Sequence, residues 1–245
     1  MRITLHTCIG LTLLFSVADG QIKENCWEPR PRTQNHPWMS MAEWNGMHES
    51  FLRYAQRGNV DLLFLGDSIT QDWANAPEVW QEQFGDRRPA NFGIAGDTTQ
   101  NVLWRITAGG ELAGLSPKVV VLLVGTNNYG FNDDSAAEVA HGVKAIVETL
   151  HEKLSTSKIL LLGILPRDAL PDTDFRRRIA QTNQLLRQLA DGKAVRYLDM
   201  GDRFLDADGN IPADLLPDFL HLSKQGYRLW AQAMKPELDA LWQQE

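Results

Sequence analysis

Apolar residues along the chain gather in two kinds of run. Val60-Asp-Leu-Leu-Phe-Leu65, Val119-Val-Val-Leu-Leu-Val124 and Ile159-Leu-Leu-Leu-Gly-Ile164 are short and nearly continuous. Runs of this length suit strands buried on both faces. Ala90-Asn-Phe92 and Val195-Arg-Tyr-Leu198 are weaker strand candidates. Between them apolar residues recur at helical spacing over roughly 76–84, 99–107, 136–154 and 174–190. A last helix is expected from Ser223, a good cap, to Trp242. Strand–helix alternation predicts a parallel sheet with helices on both faces. The expectation is an α/β fold: a three-layer α/β/α sandwich with a flavodoxin-like, mostly parallel five-stranded sheet. Ligands in such sheets lie at the carboxyl ends of the strands.

Upstream of the first strand the pattern changes. Met41 to Arg57 has helical spacing and ends at Gly58, a common stop. Residues 21–40 carry Pro29, Pro31 and Pro37 among polar residues and read as an extended arm. Before them come Arg2, an apolar run from Cys8 to Ala18, and small residues ahead of Gln21. That is the pattern of a secretory signal peptide over 1–20, cut before Gln21. The run is shorter than the ~20 apolar residues of a spanning helix. The expected organisation is therefore a leader (1–20), an arm and helix (21–58) and one α/β domain (59–245), in a secreted or periplasmic protein.

Composition narrows the function. The net charge of −7 disfavours a nucleic-acid or anionic-membrane binder, since both need a basic face. After cleavage only Cys26 would remain, which excludes an intrachain disulfide and a zinc site of several thiolates. Cys26 itself reads as an incidental arm residue. Asp206-Ala-Asp-Gly-Asn210 has its glycine two positions early for a calcium loop, so a plain turn is expected. No glycine-rich phosphate loop with a lysine is present. No metal and no cofactor is expected.

Candidate chemistry collects where the strands end. The first runs into Gly66-Asp-Ser68, the second into Gly93-Ile-Ala-Gly96-Asp97, the third into Gly125-Thr-Asn127. A serine hydroxyl is a weak nucleophile until a base takes its proton. The spacing acid-x-x-His occurs at Glu138/His141, Glu148/His151 and Asp218/His221. The first two lie on one amphipathic helix, where such pairs form a solvated face. Asp218 and His221 fall in the loop before the last helix, where this fold builds sites. Gly96 can bring a backbone N–H close to a developing oxyanion, and the Asn127 amide and Ser68 N–H are further donors. Trp73, five residues after Ser68, is expected either in the core or lining an acyl or sugar pocket.

These four blocks resemble, in order, those of the SGNH (GDSL-type) hydrolases over roughly residues 60–242. The strings Asn91 to Arg105, Gly163-Ile-Leu-Pro-Arg167 and Phe219-Leu-His-Leu222 are most like the catalytic subunits of platelet-activating factor acetylhydrolase type Ib. The resemblance implies Ser68 as nucleophile and first oxyanion donor, with Gly96 and Asn127 as the other two. It makes His221 the base and Asp218 its orienting acid. Ala95, where that branch usually has glycine, is a departure, as are the leader and the arm. Expected substrates are small-acyl esters, chiefly acetyl esters of carbohydrates. A lipid-directed acetylhydrolase or lysophospholipase is the alternative, and a silent binding domain of the same fold a third reading. No nucleic-acid partner and no stable membrane insertion are expected; the branch forms dimers, which implies a homodimer here.

Overall fold

The computed structural model describes residues 25–243. The expected leader and its cleavage point lie outside the described residues. Five parallel strands form one sheet: β1 (Leu62–Gly66), β2 (Pro89–Gly93), β3 (Val119–Leu123), β4 (Lys158–Leu162) and β5 (Val195–Leu198), in the order β2-β1-β3-β4-β5. The pairing is in register across the sheet, with Leu62 opposite Pro89 on one side and Val119 on the other. The two weak strand candidates are its edges, where shorter and less apolar strands suffice.

Alternation along the strands divides the core. Leu62, Phe64, Val119, Val121, Leu160 and Leu162 point to one face. There they pack against α3 (Pro77–Phe84) and α8 (Lys224–Trp242). Leu63, Leu65, Val120, Leu122, Ile159 and Leu161 point to the other. Facing them are α4 (Thr99–Ile106), α6 (Ala136–Lys153) and α7 (Asp174–Leu186). Period-two exposure to two apolar layers is why these strands read as continuous apolar runs rather than as alternating ones. The sandwich and its parallel sheet are as the sequence predicts.

Helix ends follow local chemistry. Ser40 and Glu43 make a reciprocal capping box at the start of α1 (Met41–Arg57), and Ser135 with Glu138 does the same for α6. Pro77 opens α3, where a missing N–H costs nothing. Ser223 caps α8 by accepting from the Gly226 N–H at 3.1 Å. Residues 174–190, expected as one helix, tighten into a 3₁₀ turn at Arg187–Leu189. Two short helices, α2 (Ser68–Gln71) and α5 (Thr126–Asn132), escape periodicity because each has two turns or fewer. Asp206 accepts from the backbone N–H groups of Asp208 and Asn210, so that segment is a self-closed turn.

The arm lies along the domain. The Arg30 N–H donates to the Gln100 carbonyl, Asn101 donates back to the Arg30 carbonyl, and Thr99 donates to the Cys26 carbonyl at 2.9 Å. Cys26 is fully buried and accepts from Asn128 Nδ2 at 3.4 Å, which corrects its reading as an incidental residue. Burial, with Asp134 beside it, pushes the thiol well above its ordinary pKa, so it is inert.

Candidate active site

Strand order reverses at β1: the chain steps to β2 on one side and returns to β3 on the other. A crevice opens at that point beyond the carboxyl ends. β1 feeds directly into α2, whose first residue is Ser68. Asp67 caps this helix, its carboxylate accepting from the Ile69 N–H at 3.0 Å. Gly66 is required by close approach: a side chain there would collide with the Leu123 carbonyl and with Thr70. The turn therefore presents Ser68 at the rim.

The loop before α8 supplies the partner. Asp218 Oδ1 accepts from the backbone N–H groups of Leu220 at 3.1 Å and His221 at 2.7 Å. These bonds close a short turn in which Phe219 takes a left-handed φ of 60°. A non-glycine residue in that region is strained, and strain of this kind gathers at functional sites. The turn aims both side chains one way. Asp218 Oδ2 lies 2.7 Å from His221 Nδ1, and His221 Nε2 lies 3.0 Å from Ser68 Oγ. Burial opposes the Asp218 charge, but the hydrogen bonds from the His221 ring and backbone outweigh it and hold its pKa below the usual carboxylate range.

Two further segments complete the wall. After β2, residues 94–97 turn tightly, with Gly96 at φ 78° and the Asp97 N–H bonded to the Ile94 carbonyl. Asn127, in the first turn of α5, donates through Nδ2 to the Asp97 carbonyl at 3.0 Å. Ser68, Gly96, Asn127 and His221 line one cavity of about 510 Å³. That volume fits a small-molecule ligand. Gln71, Asp72, Arg167 and Leu220 also line it, as do Trp38 and Phe131.

The turn at 94–97 is braced from below. Gln71 Oε1 accepts from the Ala95 N–H at 2.7 Å. Arg32, from the arm, donates to the Ala95 carbonyl at 2.5 Å and to Asp97 Oδ1 at 3.2 Å. Asp97 also accepts from Trp44 Nε1 at 2.7 Å and from Arg105 Nε at 2.8 Å. Arg105, fully buried, donates onward to Glu111 and to the Gly66 carbonyl. Glu111 in turn meets His48 Nδ1 at 2.7 Å. One buried network thus ties the arm, α1, α4 and the end of β1 to the loop carrying Gly96. Burial raises the Asp97 pKa, and Arg105, Trp44 and Arg32 offset that rise. Asp67 has less compensation: burial pushes its carboxyl up to about 7.

Trp73 is a correction to the pocket-lining alternative. It is 1% exposed and packs on Tyr227 at 4.6 Å and Trp230 at 5.1 Å. After α2 the chain tightens into a 3₁₀ turn over Asp72–Asn75, and that turn carries Trp73 into the core instead of the crevice. A second cleft of about 520 Å³ does border Trp73, together with Tyr54 and Trp80. Its lining has no serine–histidine pair. His141, of the competing pair on α6, stacks on Trp27 at 4.2 Å.

The site's wider lining was not apparent from the sequence alone. Trp38, in the lining, and Arg32, which braces the 94–97 turn, sit in the irregular arm, far from every motif, and only tertiary contact brings them in. Gln71 could have been found: three residues after Ser68 places it on the same side of α2.

Comparison with known proteins supports the same chemistry. The family model described as GDSL-like Lipase/Acylhydrolase matches residues 64–229. The chain is 40% identical to the human platelet-activating factor acetylhydrolase IB subunit alpha2 over 194 residues, 79% of this chain and 81% of that one. It is 38% identical to the human alpha1 subunit over 187 residues, 76% and 78% of the two chains. Among solved structures, a mutant of an acetyl-xylooligosaccharide esterase from Geobacillus Stearmophilus superposes with a TM-score of 0.56 at 19% identity. That superposition covers 72% of this chain and 93% of the other and speaks to the fold alone.

Proposed function

The chain belongs to the GDSL-like lipase/acylhydrolase family and is a carboxylic ester hydrolase, and from that premise we propose that Ser68 removes acetyl groups from carbohydrate esters through an acyl-enzyme. The observation that carries this reading is the relay from Asp218 through His221 to Ser68 Oγ, with 2.7 and 3.0 Å links.

His221 Nε2 takes the Ser68 proton as Oγ attacks the ester carbonyl carbon. The carbonyl oxygen becomes an anion, and the Ser68 and Gly96 backbone N–H groups and the Asn127 amide donate to it. The intermediate collapses when protonated His221 gives its proton to the leaving sugar oxygen, and acetyl stays on Oγ. Water then attacks, its proton passing to His221, and acetate departs as Oγ regains a proton. Asp218 keeps the ring in the tautomer with Nδ1–H and steadies the imidazolium. Asn127, already tied to the Asp97 carbonyl, needs no reorganisation. The route calls on no metal or cofactor.

Two features favour a sugar ester. The cavity wall mixes Gln71, Asp72 and Arg167 with apolar side chains, which suits a hydroxyl-rich alcohol. Residues 1–20 carry a leader pattern, and export would bring the enzyme to extracellular polysaccharide. Lipid esters are the second reading, favoured by the named activity of the relatives. Acetate release from acetylated xylan, compared with release from an acetylated ether phospholipid, separates the two. Faster turnover of the polysaccharide supports the first; turnover of the phospholipid alone overturns it.

A further inference from the structure

Trp38 is 56% exposed, and Phe131 beside it 40%. Single exposed aromatics are ordinary, but two in one stack at the mouth of a cavity are not. His36 lies 4.8 Å from Trp38 and 4.9 Å from Phe131 by ring centroids, and the three rings are parallel within 22°. Trp38 and Phe131 line the cavity that holds Ser68 and His221. The indole borders the oxyanion loop: a side-chain carbon added to Gly96 would sit 3.5 Å from Trp38 Nε1.

The backbone holds this stack in place before any ligand arrives. His36 and Met39 exchange both backbone hydrogen bonds, at 2.9 and 3.2 Å, with Pro37 and Trp38 at the corner between them. Proline at the first corner position pre-sets φ and stiffens the turn. Met39 is buried and anchors the turn to Trp44 and Ile94. Burial, and then the charge of Arg32, lower the His36 pKa, which leaves the stack uncharged at neutral pH.

We propose that Trp38, backed by His36 and Phe131, is the platform on which the sugar ring bearing the ester lies while Ser68 attacks; this deepens the esterase reading above and rests on it. Near-parallel rings offer one flat apolar face, and a pyranose presents a matching flat face of C–H groups while its hydroxyls point outward. Gln71, Asp72 and Arg167 elsewhere in the lining can hydrogen-bond those hydroxyls. A trimethylammonium group is instead enclosed by ring faces that converge on it, whereas these three rings are near-parallel. The arm is thus part of the substrate site, although the match to the family model begins at residue 64.

The test is calorimetric titration of acetylated xylo-oligosaccharide into the full chain carrying Ser68→Ala, alone and combined with Trp38→Ala or Trp38→Phe. Binding needs no turnover, so its outcome is separate from the fate of the esterase reading, which wild-type hydrolysis of ethyl acetate decides. Trp38→Ala is expected to weaken sugar binding about tenfold, and Trp38→Phe to recover most of the loss. Equal affinity with and without Trp38→Ala overturns the platform, as does failure of the Ser68→Ala chain to bind the sugar at all. Binding of phosphocholine, weakened by Trp38→Ala, in place of the sugar overturns it in favour of a lipid headgroup.

Discussion

Asp218 does two jobs with its two oxygens. Oδ1 closes the turn through the Leu220 and His221 N–H groups, and Oδ2 meets the imidazole. Asp218→Asn separates them. The amide oxygen can still close the turn, but the amide N–H₂ then faces Nδ1, which must accept, and the ring turns an N–H toward Ser68. The expected result is a fall in kcat on the order of 10²–10⁴-fold with little change in thermal unfolding. Asp67 makes a prediction about stability. Its carboxyl has an ordinary value of 3.8 and a folded value of about 7. Between those values the folded state holds a proton that the unfolded state has lost, so this group lowers stability as pH rises through the window. Asp67→Asn keeps an acceptor for the Ile69 N–H and cannot ionise. Its stability relative to wild type, read by urea unfolding, is expected to grow from about pH 4 to about pH 7 and then level off. A difference constant with pH would contradict the shift. Trp73→Ala is expected to cost about 3–5 kcal/mol in chemical denaturation, with substrate preference unchanged, because the ring belongs to the core.

At the scale of elements, what the sequence made legible is what local chemistry decides. The three continuous apolar runs are strands, and Ser223 caps the last helix as expected. The edge strands β2 and β5 were fainter, since an edge needs less burial. The short helices α2 and α5 carry too few turns for any period to show. The Asp218–His221 spacing had two competitors of equal spacing; only its place before α8 distinguished it. The arm was illegible for another reason. Its residues have no period, and their meaning lies in contacts more than sixty positions away, such as Arg32 with Ala95 and Asp97. That contact predicts a coupled effect. Arg32→Ala leaves Asp97 with one cation fewer and frees the loop that carries Gly96. A loss of about 3 kcal/mol in stability is expected, together with a lower kcat that Arg32→Lys partly restores. Unchanged kcat would make Arg32 a fold residue only.

Across the whole molecule, two apolar layers hold a parallel sheet so that its reversal point stays open. Ser68, Gly96, Asn127 and His221 lie at or beside connections: β1 to α2, β2 to α4, β3 to α5, and the loop before α8. The arm closes the circle, with Arg32 bracing one of those connections and Trp38 lining the cavity. The central claim is that Ser68 carries the ester chemistry. Its most direct test is hydrolysis of p-nitrophenyl esters from acetate to octanoate by wild type and by Ser68→Ala. We predict turnover that favours acetate in wild type and disappears in Ser68→Ala, with the thermal unfolding of the two chains alike. Activity that survives Ser68→Ala in a folded chain would contradict the account.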